Sequence, residues 1–114
     1  TVLRERYKIG ALTNGNSYPE RVGMGQLFDF AVLASEQGVS KPDPRIFHTA
    51  AEMAGCRVDE LLHVGDALID DIQGASTAGA QAVWINRIGV SASTKHVPEF
   101  EIFSLSTLVD WLIV

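Results

Sequence analysis

Four short apolar runs, at Lys8–Leu12, Phe30–Ala34, Leu62–Val64 and Gln81–Ile85, leave this chain few folds to choose from. Each is of strand length and nearly continuous in its apolar character, where a half-buried strand would alternate. Runs of that kind suit strands covered on both faces. Between several of them lie segments long enough for helices, and strand–helix alternation builds a parallel sheet with helices packed against it. The expected fold class is α/β, a doubly wound parallel sheet.

The helices carry their own start and stop signals. Asp43-Pro44 supplies a cap and a first helical position, Ile46, Phe47, Ala50, Ala51 and Ala54 form one apolar face, and Gly55 stands where a helix ends. A second helix is expected from about Asp70 to Ala78, with Ile72 and Ala75 inward and Gly79 ending it. A third uses Ser106 as cap, with Leu105, Leu108, Val109 and Leu112 at helical spacing. The stretch Arg87–Pro98 is polar and reads as a connector. With 114 residues and 46% hydrophobic content, the chain suits one domain over its whole length, 1–114. Leu3 to Tyr7 resembles the last turn of a helix entering a strand, which predicts that the chain begins inside a longer protein.

Charge removes several functions. Fourteen acidic residues against nine basic ones give a net charge of −5, and no Lys/Arg cluster offers a footprint for nucleic acid or an anionic membrane. No apolar run reaches the length of a membrane span. Cys56 is the single cysteine, so an intrachain disulfide is impossible and the cytosol is the expected compartment.

In an open parallel sheet, ligands bind outside the carboxyl ends of the strands, so the residues there are the site candidates. After the first run come Thr13-Asn14-Gly15-Asn16, a hydroxyl, an amide and a glycine that suit an anion; a tight turn is the alternative. After the second, in Gly38-Val39-Ser40-Lys41-Pro42-Asp43-Pro44, proline restricts Lys41 to extended backbone and directs its ammonium to a fixed place, unless it is a solvated loop lysine. After the third, Gly65 permits a sharp exit and Asp66, Asp70 and Asp71 crowd into six residues.

Acidic residues in a first helical turn complement the free N–H groups there, and Asp70 is expected to do only that. Three carboxylates so close repel one another. A cation among them or a nearby lysine resolves the repulsion, and Asp66 at the strand's end suits Mg²⁺, which takes one or two carboxylates and completes its shell with water and phosphate. A hydroxyl and amide, a fixed lysine and a cation-binding carboxylate are together the parts that stabilise a phosphoryl group in transfer. His63 reads as a satisfied core imidazole rather than a ligand, and Trp84 as packing.

The stretches "IGALTNGN", "GVSKPDP" and "LLHVGDALIDDIQGA" resemble the second, third and fourth motifs of the haloacid dehalogenase-like hydrolase superfamily, and the likeness covers essentially the whole chain, which implies that residues 1–114 are the C-terminal part of that family's core domain. The resemblance implies that Thr13 binds substrate phosphate with Asn14 beside it. It implies that Lys41 stabilises charge on nucleophile and phosphate, that Asp66 holds Mg²⁺, and that Asp71 orients Lys41 or the metal's water. The implied activity is hydrolysis of a small phosphate ester through an aspartyl-phosphate, in wording closest to the flavin mononucleotide phosphatase-like branch. Metal-independent dehalogenases resemble the rest of the fold but lack an acidic fourth motif, which "VGDALIDD" has.

The family's first motif, a DxD pair carrying the aspartate nucleophile, is missing from these residues, and so is the cap that sets substrate choice. Asp29, Asp43, Asp59 and Asp110 have no acidic partner two positions on. The chain alone is therefore expected to be inactive. The family's sheet order puts the missing strand between the strands ending at Leu12 and Val64, so a gap in mid-sheet is expected, inviting self-association or a complementing N-terminal segment. Two rival readings stand beside this one. A phosphoacceptor signalling domain uses similar groups, but its acidic residues precede its Thr and Lys. A non-catalytic interaction module would use the gap as a docking slot.

Overall fold

The computed structural model describes residues 7–14, 28–86 and 100–112. The expected helical turn before Tyr7, the Gly15-Asn16 pair and the connector Arg87–Pro98 lie outside them. Among the described residues five strands and four α-helices follow in the order β1 (Gly10–Thr13), β2 (Phe30–Leu33), α1 (Ala34–Gln37), α2 (Pro44–Ala54), β3 (Leu62–Gly65), α3 (Gly74–Ala78), β4 (Gln81–Ile85), β5 (Glu101–Ile102) and α4 (Leu105–Leu112). Every strand pairing is parallel. This is the expected α/β class.

Local chemistry explains α2. Asp43 accepts the Arg45 N–H at 2.9 Å and caps the helix, Pro44 begins it, and Gly55 ends it in a left-handed conformation at φ 74°. Its apolar face meets β2 and α3 in a core of Val32, Ile46, Phe47, Ala50, Ala75, Ala78 and Ala80. A second core, Val83, Ile85, Ile102 and Leu108, joins β4 and β5 to α4, with Leu62 and Val64 of β3 packed against it.

The helix expected from Asp70 begins earlier and differently. Leu68–Gln73 forms a π-helical turn, in which the N–H groups of both Asp71 and Ile72 reach the Ala67 carbonyl, and α3 follows it. The π turn inserts at a site, since it carries Asp70 and Asp71. The sequence also concealed α1 and β5, each too short for a periodic signal.

The described strands form two sheets, β1-β2 and β3-β4-β5, with no ladder between them. A cavity of about 360 Å³ is walled by Leu12 of β1 on one side and His63, Val64 and Gly65 of β3 on the other. The expected gap between these strands is thus where this cavity lies. It also accounts for a departure from expectation: no residue of β1 or β3 is fully buried, because both strands border the opening.

Candidate active site

The cavity's polar wall is assembled from two connections, the loop that follows α1 and the turn that follows β3. Lys41 lies in the loop before α2, Asp66 immediately follows β3, and Asp71 stands on the π turn; all three line the cavity with His63. Thr13, the last residue of β1, is one beyond the lining residue Leu12 and is not itself part of the wall.

Asp71 is the hub. Its Oδ1 accepts from Lys41 Nζ at 2.6 Å and from His63 Nε2 at 2.8 Å, and its Oδ2 accepts the Ala67 N–H at 3.1 Å. The residue is only 4% exposed. Burial by itself would raise its carboxyl pKa; the His63 and Lys41 hydrogen bonds, the Ala67 N–H and the Lys41 charge outweigh burial and hold it well below the ordinary carboxylate range. A lysine thus relieves the crowding of carboxylates at Asp71. The Lys41 side chain, 13% exposed, is not a solvated loop lysine.

Lys41 is aimed from its backbone. The Asn14 amide pairs with that backbone on both sides, Oδ1 accepting the Lys41 N–H at 2.9 Å and Nδ2 donating to the Lys41 carbonyl at 3.3 Å. The end of β1 is thereby tied to the loop that bears the lysine, whose peptide bond to Pro42 is cis. Gly74 allows the same loop to approach α3, since a Cβ there would stand 3.0 Å from Pro42 Cα and 2.9 Å from Phe47 Cε2.

Gly65 serves a different purpose from the sharp exit expected of it. Its φ is not positive, and a Cβ at this position would overlap the side chain of Asp71. Glycine is needed because Asp71 folds back onto the strand. Asp66, next along, is exposed, and its carbonyl accepts the Trp84 indole N–H at 3.1 Å. Trp84 is a core residue, 2% exposed, and it also pins the turn that presents Asp66.

The described residues contain no cluster of three or more His, Cys, Asp or Glu side chains able to enclose a metal. One exposed carboxylate beside a cavity fits a hard cation that completes its shell with water and phosphate oxygens, and Asp66 is the residue that would hold it.

Of the residues expected at the site, the structure brings Lys41, Asp66 and Asp71 to one cavity and leaves Thr13 one residue beyond it, while the contacts that hold them were not visible in the sequence. His63 is the satisfied imidazole expected, but the partner that satisfies it is Asp71. Its position, three before Asp66 and eight before Asp71, was the only available signal. Asn14 carried no signal for its clamp, which spans 27 positions.

Acid should expose this network. Asp71 has a folded pKa below its unfolded value, and the Arg45 side chain, followed by its backbone N–H, lowers Asp43 from 3.8 to about 2. Such groups contribute stability above their unfolded pKa that is lost as pH falls toward the folded one. The melting temperature should therefore fall on acidification below about pH 4, and Asp71→Asn should flatten that slope.

A parallel α/β sheet with a lysine and two aspartates gathered at strand ends defines the class, and comparison with known proteins specifies it. The haloacid dehalogenase-like hydrolase family model matches residues 1–79, and the chain belongs to that family. It is 36% identical over 112 residues to 5-amino-6-(5-phospho-D-ribitylamino)uracil phosphatase YigB of Escherichia coli, across 95% of this chain and 47% of YigB. Among solved structures it is similar to 2-haloacid dehalogenase from Pseudomonas syringae pv. Tomato, with a TM-score of 0.91 and 38% identity over 97% of this chain and 48% of that one. It is likewise similar to an HAD phosphatase from Thermococcus onnurineus, with a TM-score of 0.88 and 34% identity over 97% of this chain and 53% of that one. The chain spans about half the length of the relatives it matches.

Proposed function

We propose that these residues form the phosphate- and cation-binding part of a Mg²⁺-dependent phosphatase acting on a small phosphate ester through an aspartyl-phosphate. The aspartate nucleophile is not among them, so the chain by itself turns over no substrate. The observation that carries this reading is the Lys41–Asp71 pair at 2.6 Å on the wall of a cavity that Asp66 also lines. A cavity of about 360 Å³ is within the range of small-molecule sites.

In this reading the Lys41 ammonium, held by Asp71 when no ligand is present, turns to donate to phosphoryl oxygens. The family resemblance gives the Thr13 hydroxyl, one residue beyond the wall, the role of donating to the same phosphate, and Asn14 contributes by fixing the backbone of Lys41. Asp66 would hold Mg²⁺, which when bound supplies positive charge to the phosphoryl oxygens. The phosphatase names of YigB and the Thermococcus protein support this over dehalogenation, as does the acidic stretch after Gly65. The gap between β1 and β3 is completed by a further strand, from a complementing N-terminal segment or a second copy. A monodisperse monomer with cooperative unfolding would count against that completion.

The test combines intact mass of the native protein, Mg²⁺-dependent hydrolysis of p-nitrophenyl phosphate, and calorimetric titration of the 114-residue chain with inorganic phosphate and Mg²⁺. A longer, active native form is expected, and in the chain Asp66→Asn should remove the Mg²⁺ dependence of phosphate binding. If Asp66→Asn and Lys41→Met leave all binding unchanged, an interaction module is the better description.

A further inference from the structure

The Lys41–Asp71 pair presents a difficulty when a ligand arrives. Asp71 is 4% exposed, so any oxygen of its carboxylate that loses its donor has little water to replace it. If the ammonium turned toward a phosphate and Asp71 Oδ1 had no second donor, the turn would strand a buried acceptor. Oδ1 does have one, His63 Nε2 at 2.8 Å.

His63 is built to stay where it is. It stands on β3, its side chain is 11% exposed, and its ring meets Phe47 edge-on with centroids 5.0 Å apart and planes at 84°. Phe47 is fully buried, so the imidazole rests on a fixed surface. Asp71 is ionised and only accepts, which assigns the hydrogen to Nε2. Oδ2 is held separately by the Ala67 N–H at 3.1 Å. The carboxylate therefore has one donor from its own turn, one from β3, and one, Lys41, that can move.

We propose that His63 is a positioning residue of this site: its Nε2–H keeps the Asp71 carboxylate in place and satisfied while the Lys41 ammonium engages an anion in the cavity. Part of this rests on the reading of the cavity as a phosphate site. The part that does not is geometric: His63 orders the Lys41–Asp71 pair even without ligand.

The experiment separates the two. In the ¹⁵N-lysine-labelled 114-residue chain, the Lys41 ammonium gives a protected NMR signal, identified by its loss in Lys41→Met. His63→Gln places an amide donor near the position of Nε2, whereas His63→Asn is polar but too short and His63→Phe has no donor. The Lys41 signal is expected to persist in His63→Gln and to broaden or disappear in His63→Asn and His63→Phe at matched stability in urea. Inorganic phosphate should bind about tenfold more weakly to the latter two and within about threefold of the parent to His63→Gln, a difference expected of one hydrogen bond to a charged group. A Lys41 signal unchanged in both His63→Asn and His63→Phe overturns the proposal. If His63→Phe does not fold, His63→Asn decides. If the parent chain binds no phosphate, the phosphate reading fails, and the ammonium signal alone decides whether His63 positions the pair.

Discussion

Gly65→Ala is expected to destabilise the chain by about 3 kcal/mol or more. Two effects compete. Glycine costs a strand backbone entropy, so alanine would ordinarily gain about 0.5–1 kcal/mol where φ is negative, and Gly65 has no positive φ. Against this, the new Cβ overlaps the Asp71 side chain. That side chain cannot yield cheaply, because Lys41, His63 and the Ala67 N–H all hold its carboxylate. Overpacking costs about 1–3 kcal/mol, and displacement of the carboxylate from its partners adds to it, so the steric effect wins. Urea unfolding of a double-mutant cycle checks this. In an Asp71→Gly background the cost of Gly65→Ala should vanish, and an undiminished cost would place the clash elsewhere.

Asp71→Asn is expected to cost about 3–5 kcal/mol, the range for removing one partner of a buried ion pair, and more than Lys41→Met. The amide keeps the shape but loses the charge, and its NH₂ must face either the Ala67 N–H or the donors of Lys41 and His63. Donor then meets donor. Lys41→Met leaves the buried carboxylate two of its three partners, so its cost should lie nearer the 1–3 kcal/mol of an unsatisfied group. Denaturation midpoints of the two variants decide the ranking, and the reverse order would mean that the network is organised around the lysine. In the proposed site both variants should lose phosphate binding, Lys41→Met through the missing charge and Asp71→Asn through a misdirected ammonium.

These expectations rest on features of unequal visibility in the sequence. The helix Pro44–Ala54 could be read to its ends because Asp43, Pro44 and Gly55 each act on backbone atoms within a few residues. The inward faces of α2 and of the π turn with α3 were legible for a similar reason, since helical periodicity places Ile46, Phe47, Ile72 and Ala75 inward and the structure buries all four. The strands were legible as apolar runs but not in burial, because β1 and β3 border a cavity that no local pattern announces. The π turn at Leu68–Gln73 escaped because periodicity cannot tell one extra residue in a turn from a later helix start.

Sequence by itself determined the α/β class, the order of the four longer strands with α2, α3 and α4, and the residue types in the connections after the strands: Thr13, Lys41, Asp66 and Asp71. All of these depend on neighbours a few positions apart, where propensity, capping and motif spacing act. Only the tertiary structure decided that Asn14 clamps the backbone of Lys41, that His63 shares Asp71 with Lys41, that Trp84 holds the carbonyl of Asp66, and that Gly65 is glycine to admit a carboxylate. Most of these contacts join residues far apart in the chain, and even the nearer pairs, His63 and Gly65 with Asp71, meet only because the π turn folds the carboxylate back onto β3. Their partners are fixed by which strands lie side by side and by distances of about 3 Å, which no local pattern of residues encodes.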